Sequence, residues 1–250
     1  MMMQSSLQSA FASRNALKII SGLHNFDAAR VAAVVHAATQ GGATFVDIAA
    51  DAELIRMAKA QTDLPICVSA VDPDALVMAV EAGADLVEIG NFDSFYQQGI
   101  TFSAQDVLRL TQQTRRVLPG VTLSVTVPHT LELDRQVQLA LDLVQAGADI
   151  IQTEGGTSSQ PAHPGTWGLM EKAAPTLAAA YEISRAVSVP VLCASGLSSV
   201  TAPLAIAAGA AGIGVGSAVN QLNSQVAMIA VVRSLVEAIA KAPAATTASI

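Results

Sequence analysis

The sequence predicts a single α/β domain of the closed (β/α)8 barrel class, and three observations carry that prediction. Four segments, "AATQGGATFVDIA", "AVEAGADLVEIG", "LVQAGADIIQTEGG" and "AIAAGAAGIGVG", repeat one pattern: the end of an alanine-rich helix, a glycine, then an apolar strand. Four further apolar runs, "LKIIS", "LPICVSA", "TLSVTV" and "VPVLCAS", fall between them and bring the strands to eight. Helical stretches such as 27–40, 73–82 and 131–146 fill most of the gaps. Strands that read as near-continuous apolar runs must be covered by helices, and βα units in series close into a parallel barrel. The 250 residues suit one such domain, although length alone also fits two smaller ones. The expected organisation is one barrel over 1–242 and a flexible tail at 243–250.

Taken in order, the chain opens with "MMMQSSLQSAFASR", Ser-rich and free of acids, a faint likeness to a transit peptide. It is short and has no cleavage-type apolar region, so it reads as a short amphipathic helix closing the barrel's base. The first strand turns Leu17 and Ile19 toward the helices and Lys18 inward. Asp27 suits the N-cap of the next helix better than a ligand's role, and His36 lies inside that helix. Gly42, Gly83, Gly147 and Gly209 fit left-handed helix ends. Four and six residues beyond each stand Val46 and Ile48, Val87 and Ile89, Ile151 and Thr153, Ile213 and Val215. This nearly all-apolar set should face the helices. The alternate set, Asp47, Glu88, Gln152 with Glu154, and Gly214 with Gly216, must then face the lumen. An unpaired charge under the helix layer is costly, so the carboxyl groups converge on the barrel axis near its C-terminal mouth. Cys67 and Cys193 read as reduced core thiols. After the sixth strand comes a polar stretch, "GTSSQPAHPGTWG", too long for a simple βα turn and suited to a lid. Trp167 either covers a ligand there or packs the loop onto the rim. The run "APLAIAAGAAGIGVGSAV" carries too many glycines, and a proline, for a membrane-spanning helix.

Barrel enzymes draw their reactive groups from the loops at the C-terminal ends of the strands. Lys18 shares the axis with Asp47, Glu88 and Glu154. Two uses compete: a buried ion-pair network, or an electrophile or Schiff-base amine. At the mouth the sequence offers His24 and Asn25 after the first strand, Asn91 and Asp93 after the fourth, and His129 after the fifth. His24 and Asp93 each have a plainer use in capping a loop or turn. No two histidines have metal-ligand spacing, and no metal is predicted. The phosphate signal is more specific. The seventh strand ends "CASGLSS" and the eighth "GVGSAVN", with Ser217 placed to cap a short helix. Loops at these two positions commonly hold phosphate on backbone N–H groups, and glycine lets an oxyanion approach the main chain. The candidates are Gly196, Gly214, Gly216 and Ser217, joined by Ser195 and Asn220, with Gly155 and Gly156 extending the rim. Close helix packing or tight turns are the plainer use of these glycines.

A net charge of −7, no basic run and only 4% aromatic residues argue against a nucleic-acid partner. The strings "LHNFD", "ATFVDIAAD", "ADLVEIGNFDSFY", "LSVTVPH", "ADIIQTEGGTSS", "EKAAPTLAAAYEISRAV", "VPVLCASGLSSVTAPLAI" and "GIGVGSAVN" together resemble the hypothetical chloroplast open reading frame twenty-three family of cyanobacteria and plastids. The resemblance runs from about residue 15 to residue 235. It implies a barrel of the ribulose-phosphate-binding type in a cyanobacterial cytoplasm or plastid stroma, and it brings no activity and no catalytic residues. Three functions are compatible with the residues. The first is an isomerase or lyase acting on a phosphorylated carbonyl or sugar, with Glu154 or Glu88 as general base and Lys18 polarising the carbonyl. The second is an FMN-dependent oxidoreductase, against which stands the lack of arginine in the late loops. The third is a metabolite sensor or scaffold whose alanine-rich helices leave apolar faces for self-association. Fold alone does not choose among them.

Overall fold

The computed structural model describes residues 3–242 apart from 97, 157 and 158. The tail expected at 243–250 lies outside the described residues. Eight strands close a barrel in sequence order: β1 Ala16–Ile20, β2 Phe45–Ala49, β3 Ile66–Ala70, β4 Leu86–Ile89, β5 Thr122–Thr126, β6 Ile150–Gln152, β7 Val191–Ala194 and β8 Gly212–Val215. Every neighbouring pair is parallel, including β8 with β1.

Several helices begin where side chains satisfy the first N–H groups of a turn. After α1 (Ser5–Ala12), Asp27 accepts from Ala29 N and Arg30 N to start α2 (Ala28–Gly41). Asp51 does the same for α3 (Ala52–Gln61), and Asp72, followed by Pro73, for α4 (Pro73–Glu81). A short turn, α5 (Asp93–Tyr96), precedes α6 (Ala104–Val117), which opens on a Ser103–Asp106 capping box. The remaining helices are α7 (Leu133–Gln145), α8 (Gly165–Ala186), α9 (Ala202–Ala207), α10 (Ser217–Asn220) and α11 (Gln225–Ala240). Gly42, Gly83, Gly147 and Gly209 all take positive φ at the helix ends, as their spacing predicts.

The inward and outward sets fall as expected. Leu17, Ile19, Val46, Ile48, Ile213 and Val215 pack with residues of α2 and α11 such as Val34 and Leu235. Val87, Ile89 and Ile151 pack with α6 and α7 through Val107 and Leu139. Thr153, the one polar member, is paired beneath α8, where its hydroxyl meets that of Thr176 at 2.5 Å. The base of the lumen is apolar. Leu7 and Phe11 of α1 rise against Phe45, Cys67, Leu86, Ile150 and Leu192, and the Phe11 and Phe45 rings meet edge to face at 6.2 Å. The N-terminal helix is therefore the bottom plug.

Two expectations change. Ser217 does not cap α10; it is the first residue of that single turn. Gly216 stands at the cap, and its carbonyl accepts Val219 N and Asn220 N. Trp167 belongs to the first turn of α8 rather than to a loop, is 71% exposed and does not line the cavity described below. The helix starts this early because Glu171 collects the preceding residues, accepting from Ala162 N, His163 N and His163 Nδ1. Pro175, inside α8, has no N–H to offer the carbonyl of Glu171 four residues back. The Ser159 hydroxyl donates to that carbonyl instead, at 3.3 Å.

Candidate functional site

A polar layer lies directly above the apolar plug. Lys18 is fully buried; its Nζ donates to Glu88 Oε2 at 2.8 Å and Gln152 Oε1 at 3.1 Å, and stands 3.8 Å from Asp47 Oδ2. Gln152 Nε2 donates in turn to Glu88 Oε1 at 2.8 Å and Thr126 Oγ1 at 3.1 Å, so Lys18, Glu88 and Gln152 close a three-membered ring of hydrogen bonds. Ser124 Oγ donates to Glu88, Ser69 Oγ to Asp47, and Asn91 Nδ2 to Ser69 Oγ and Asp47. Three ions out of water are tolerable only with such a set of donors. Burial alone would lower the Lys18 pKa, but the charges of Asp47 and Glu88 outweigh it and hold the ammonium above its ordinary range. Burial lifts Asp47 to about 6, with Lys18 opposing and Glu88 adding to the rise.

Above this layer, at the C-terminal mouth, is a cavity of about 260 Å³. Lys18, Asp47 and Glu88 do not reach it; Gln152, Thr126 and Asn91 form its floor. One wall carries Asp93, Ser94 and Glu154. Glu154, 3% exposed, accepts through Oε1 from Tyr96 OH at 2.5 Å, His129 N at 3.2 Å and His129 Nδ1 at 3.2 Å, and through Oε2 from Asp93 N at 3.2 Å. This requires the tautomer of His129 with its proton on Nδ1. The same nitrogen is 3.6 Å from Asp93 Oδ1. Burial raises the Glu154 pKa, and the Asp93 charge adds to it against the His129 and Tyr96 hydrogen bonds. Burial opposes a charged His129, yet the Glu154 hydrogen bond and the charges of Glu154 and Asp93 prevail and raise its pKa. Asp93, His129 and Glu154 also bring one ligand atom each within 4.8 Å of the others, a set whose chemistry suits a divalent cation.

The opposite wall is main chain. Ser195 and Gly196 both take positive φ, 75° and 74°, an uncommon conformation for a serine. Ser195 Oγ donates to Asp93 Oδ2 at 2.8 Å, which ties this wall to the acidic one. A Cβ on Gly156 would stand 2.3 Å from Gly196 Cα, so the loops after β6 and β7 touch backbone to backbone. Gly216, Ser217 and Asn220 complete the rim; Asn220 Nδ2 donates to the carbonyls of Ile20 and Ser21, and its own carbonyl accepts from Arg30.

The structure thus brings Asp93, Glu154, Asn91, Ser195, Gly196, Gly216 and Ser217 together around one space, with His129 immediately behind. Gly155 packs behind His129, and Gly214 lies lower, where a Cβ would come 2.9 Å from that of Ala194. His24 and Asn25 do not line the cavity: the His24 ring packs edge-on against Phe95, and Asn25 Nδ2 donates to Ser21 Oγ. Sequence reasoning missed Tyr96, Thr126 and Arg30, because no local pattern tells which residue of another loop or helix reaches the rim.

Fold and site together define a parallel (β/α)8 barrel protein with a polar cavity at its C-terminal mouth. The chain belongs to the family described as "Protein of unknown function (DUF561)", which matches residues 3–245. Its relatives include "Uncharacterized protein ycf23" of Cyanophora paradoxa, 45% identical over 214 residues, covering 85% of this chain and 88% of the relative. The protein of the same description from Pyropia yezoensis is 38% identical over 229 residues, covering 92% and 84%. Among solved structures, 3-hexulose-6-phosphate synthase from Salmonella typhimurium shares the fold with a TM-score of 0.64 at 17% identity, over 91% of this chain and all of that one. Thiamine phosphate pyrophosphorylase from Pyrococcus furiosus does so with a TM-score of 0.61 at 17% identity, over 92% and 97%. At these identities the likeness is one of fold. Among the described residues no helix is long and apolar enough to cross a membrane.

Proposed function

We propose that the cavity binds a phosphorylated small metabolite and moves a proton on a carbon beside its carbonyl group, as an isomerase or lyase does. One observation carries the reading: a single space joins a main-chain rim of glycine and serine residues to a buried acid–base group, through the 2.8 Å bond from Ser195 to Asp93. The rim suits a phosphate, which main-chain N–H groups at Gly196 and Ser217 can approach without side-chain obstruction. A carboxyl whose pKa burial has raised is suited to take a proton near neutral pH, and Glu154 meets that description. His129 then holds the proton balance of Glu154, and Asp93 orients His129. Thr126 accepts from Gln152 and keeps its own proton to donate to a substrate oxygen. Of the two uses open to Lys18, the geometry favours the buried ion-pair network. A Schiff base requires a neutral amine at the cavity, whereas Lys18 is held protonated beneath the floor and orients Gln152. The names of the fold neighbours, several of which act on phosphorylated compounds, agree with this reading. The family resemblance supports a cyanobacterial cytoplasm or plastid stroma as the protein's location.

The test is proton NMR in D2O of a panel of aldose and ketose phosphates incubated with the protein. Loss of a C–H signal next to the carbonyl is expected with wild type and not with Glu154→Gln, while both variants gain thermal stability from the same compound. Stabilisation by phosphorylated compounds without exchange in any of them would refute the catalytic part and leave a binding protein. Flavin released on denaturation of the purified protein would replace this reading with the FMN-dependent one.

A further inference from the structure

The cavity poses an electrostatic problem for an anion. Two acidic residues, Asp93 and Glu154, line it, and no lysine or arginine is among its lining residues. Main-chain N–H groups bring only partial charges, and α10 is a single turn with little dipole to add. Like charge opposes a phosphate most strongly where water is scarce. A cation must therefore approach from outside the lining.

Two side chains come near the rim. Arg30 reaches it from α2, but that guanidinium is tied to the carbonyl of Asn220. Lys172 comes from α8, and its placement is specific. If Gly196 bore a Cβ, that atom would stand 2.7 Å from the Lys172 carbonyl oxygen, 3.2 Å from Lys172 Cγ and 2.7 Å from Gly156 Cα. The lysine stem thus lies over the point where the loops after β6 and β7 meet. The missing side chain at Gly196 is what lets helix and loop approach so closely. The three other lysines are committed to carboxylates: Lys18 to Glu88, Lys59 to Asp85 and Lys241 to Glu237. Lys172, half-buried, has no ion pair or hydrogen bond from its ammonium among the described residues. A flexible stem held over a glycine junction, with an uncommitted point charge at its end, is how lysine engages a phosphate.

We infer that Lys172 is a binding residue of this site, supplying the full positive charge that lets the Gly156–Gly196 junction hold the phosphate group of its ligand. The inference rests on the phosphate-binding reading above and adds to it a specificity: the site prefers a doubly charged phosphate ester to the neutral sugar of the same shape. It also accounts for glycine at 196, where a side chain would meet the Lys172 carbonyl and push the lysine-bearing helix away, and at 156, where one would meet the Gly196 main chain and part the two loops.

The test is isothermal titration calorimetry of the full-length protein with inorganic phosphate and with ribose 5-phosphate, at low and moderate KCl. Wild type should bind both saturably and bind ribose itself far more weakly. Lys172→Met should weaken phosphate binding by about tenfold or more and flatten its salt dependence, and Lys172→Arg should recover most of it. Thermal unfolding of the unliganded variants should match wild type, because the ammonium bonds nothing among the described residues. Equal phosphate affinity in wild type and Lys172→Met would overturn the role of Lys172 while leaving the phosphate site standing. No saturable binding of either probe by wild type would overturn the phosphate reading itself, and this inference with it.

Discussion

Replacing Lys18 by methionine tests the polar layer on which the cavity rests. The methionine fills much of the same volume, so the main loss is electrostatic. It removes the 2.8 Å bond to Glu88, the 3.1 Å bond to Gln152 and the countercharge 3.8 Å from Asp47, all in a fully buried setting. Taking one partner from a buried ion network costs about 3–5 kcal/mol, because the remaining charge stays out of water. Glu88 keeps donors in Ser124 and Gln152, and Asp47 keeps Ser69 and Asn91, so the lower half of that range is expected near pH 7.5. The loss should shrink on acidification. Asp47 already has its folded-state pKa raised to about 6, and without the opposing charge of Lys18 it will protonate more readily. The sign follows from linkage: a carboxyl with a raised folded-state pKa favours folding as pH falls through that value and opposes it as pH rises. Urea unfolding followed by circular dichroism at pH 7.5 and 5.5 measures the effect. The double variant Lys18→Met with Glu88→Gln should recover part of it, since one of the two carboxylates left without their countercharge is then removed. A loss below about 1 kcal/mol that does not change with pH would refute the account of the layer as a coupled ion network.

Two further outcomes follow from the site. The His129 imidazole should titrate by NMR with a midpoint above 6.5, and Glu154→Gln should bring that midpoint down. Because the folded-state value is the higher one, the stability contributed by His129 is full at pH below 6.5 and is lost as pH rises through the folded midpoint. A midpoint at or below 6.5 in wild type would contradict the hydrogen bond to Glu154. Gly156→Ala places a methyl group 2.3 Å from Gly196 Cα, against main chain that cannot rotate away. It should cost about 1–3 kcal/mol in denaturant unfolding and abolish stabilisation by phosphate; unchanged stability would mean the two loops do not meet.

Much of the architecture is legible in the sequence. Four helix–glycine–strand repeats and the four apolar runs between them specify eight units, and the parity of the strands places Asp47, Glu88 and Gln152 inward with Val46, Val87 and Ile151 outward. Asp27 read correctly as a cap, and the glycines at 42, 83, 147 and 209 as helix ends. These features are local: a period of two in a strand and a terminal carbonyl needing a partner are written within a few residues.

Parity gives the direction of a side chain and not its height along the barrel axis. Height depends on how neighbouring strands are staggered, which is a property of the closed sheet. Lys18 pairs in register with Gly214 and Phe45, and Glu88 with Ser69 and Ser124, so both fall below the floor, whereas Glu154, two residues past the end of β6, rises to the mouth. The meeting of Ser195 with Asp93, 102 residues apart, and of Lys172 with Gly196 likewise depends on loops and helices converging at one rim. By itself the sequence determined the barrel and which residues look into it. Only closure of the sheet decided which of those residues share a layer, because that stagger is set by pairing between distant strands rather than by any pattern within one.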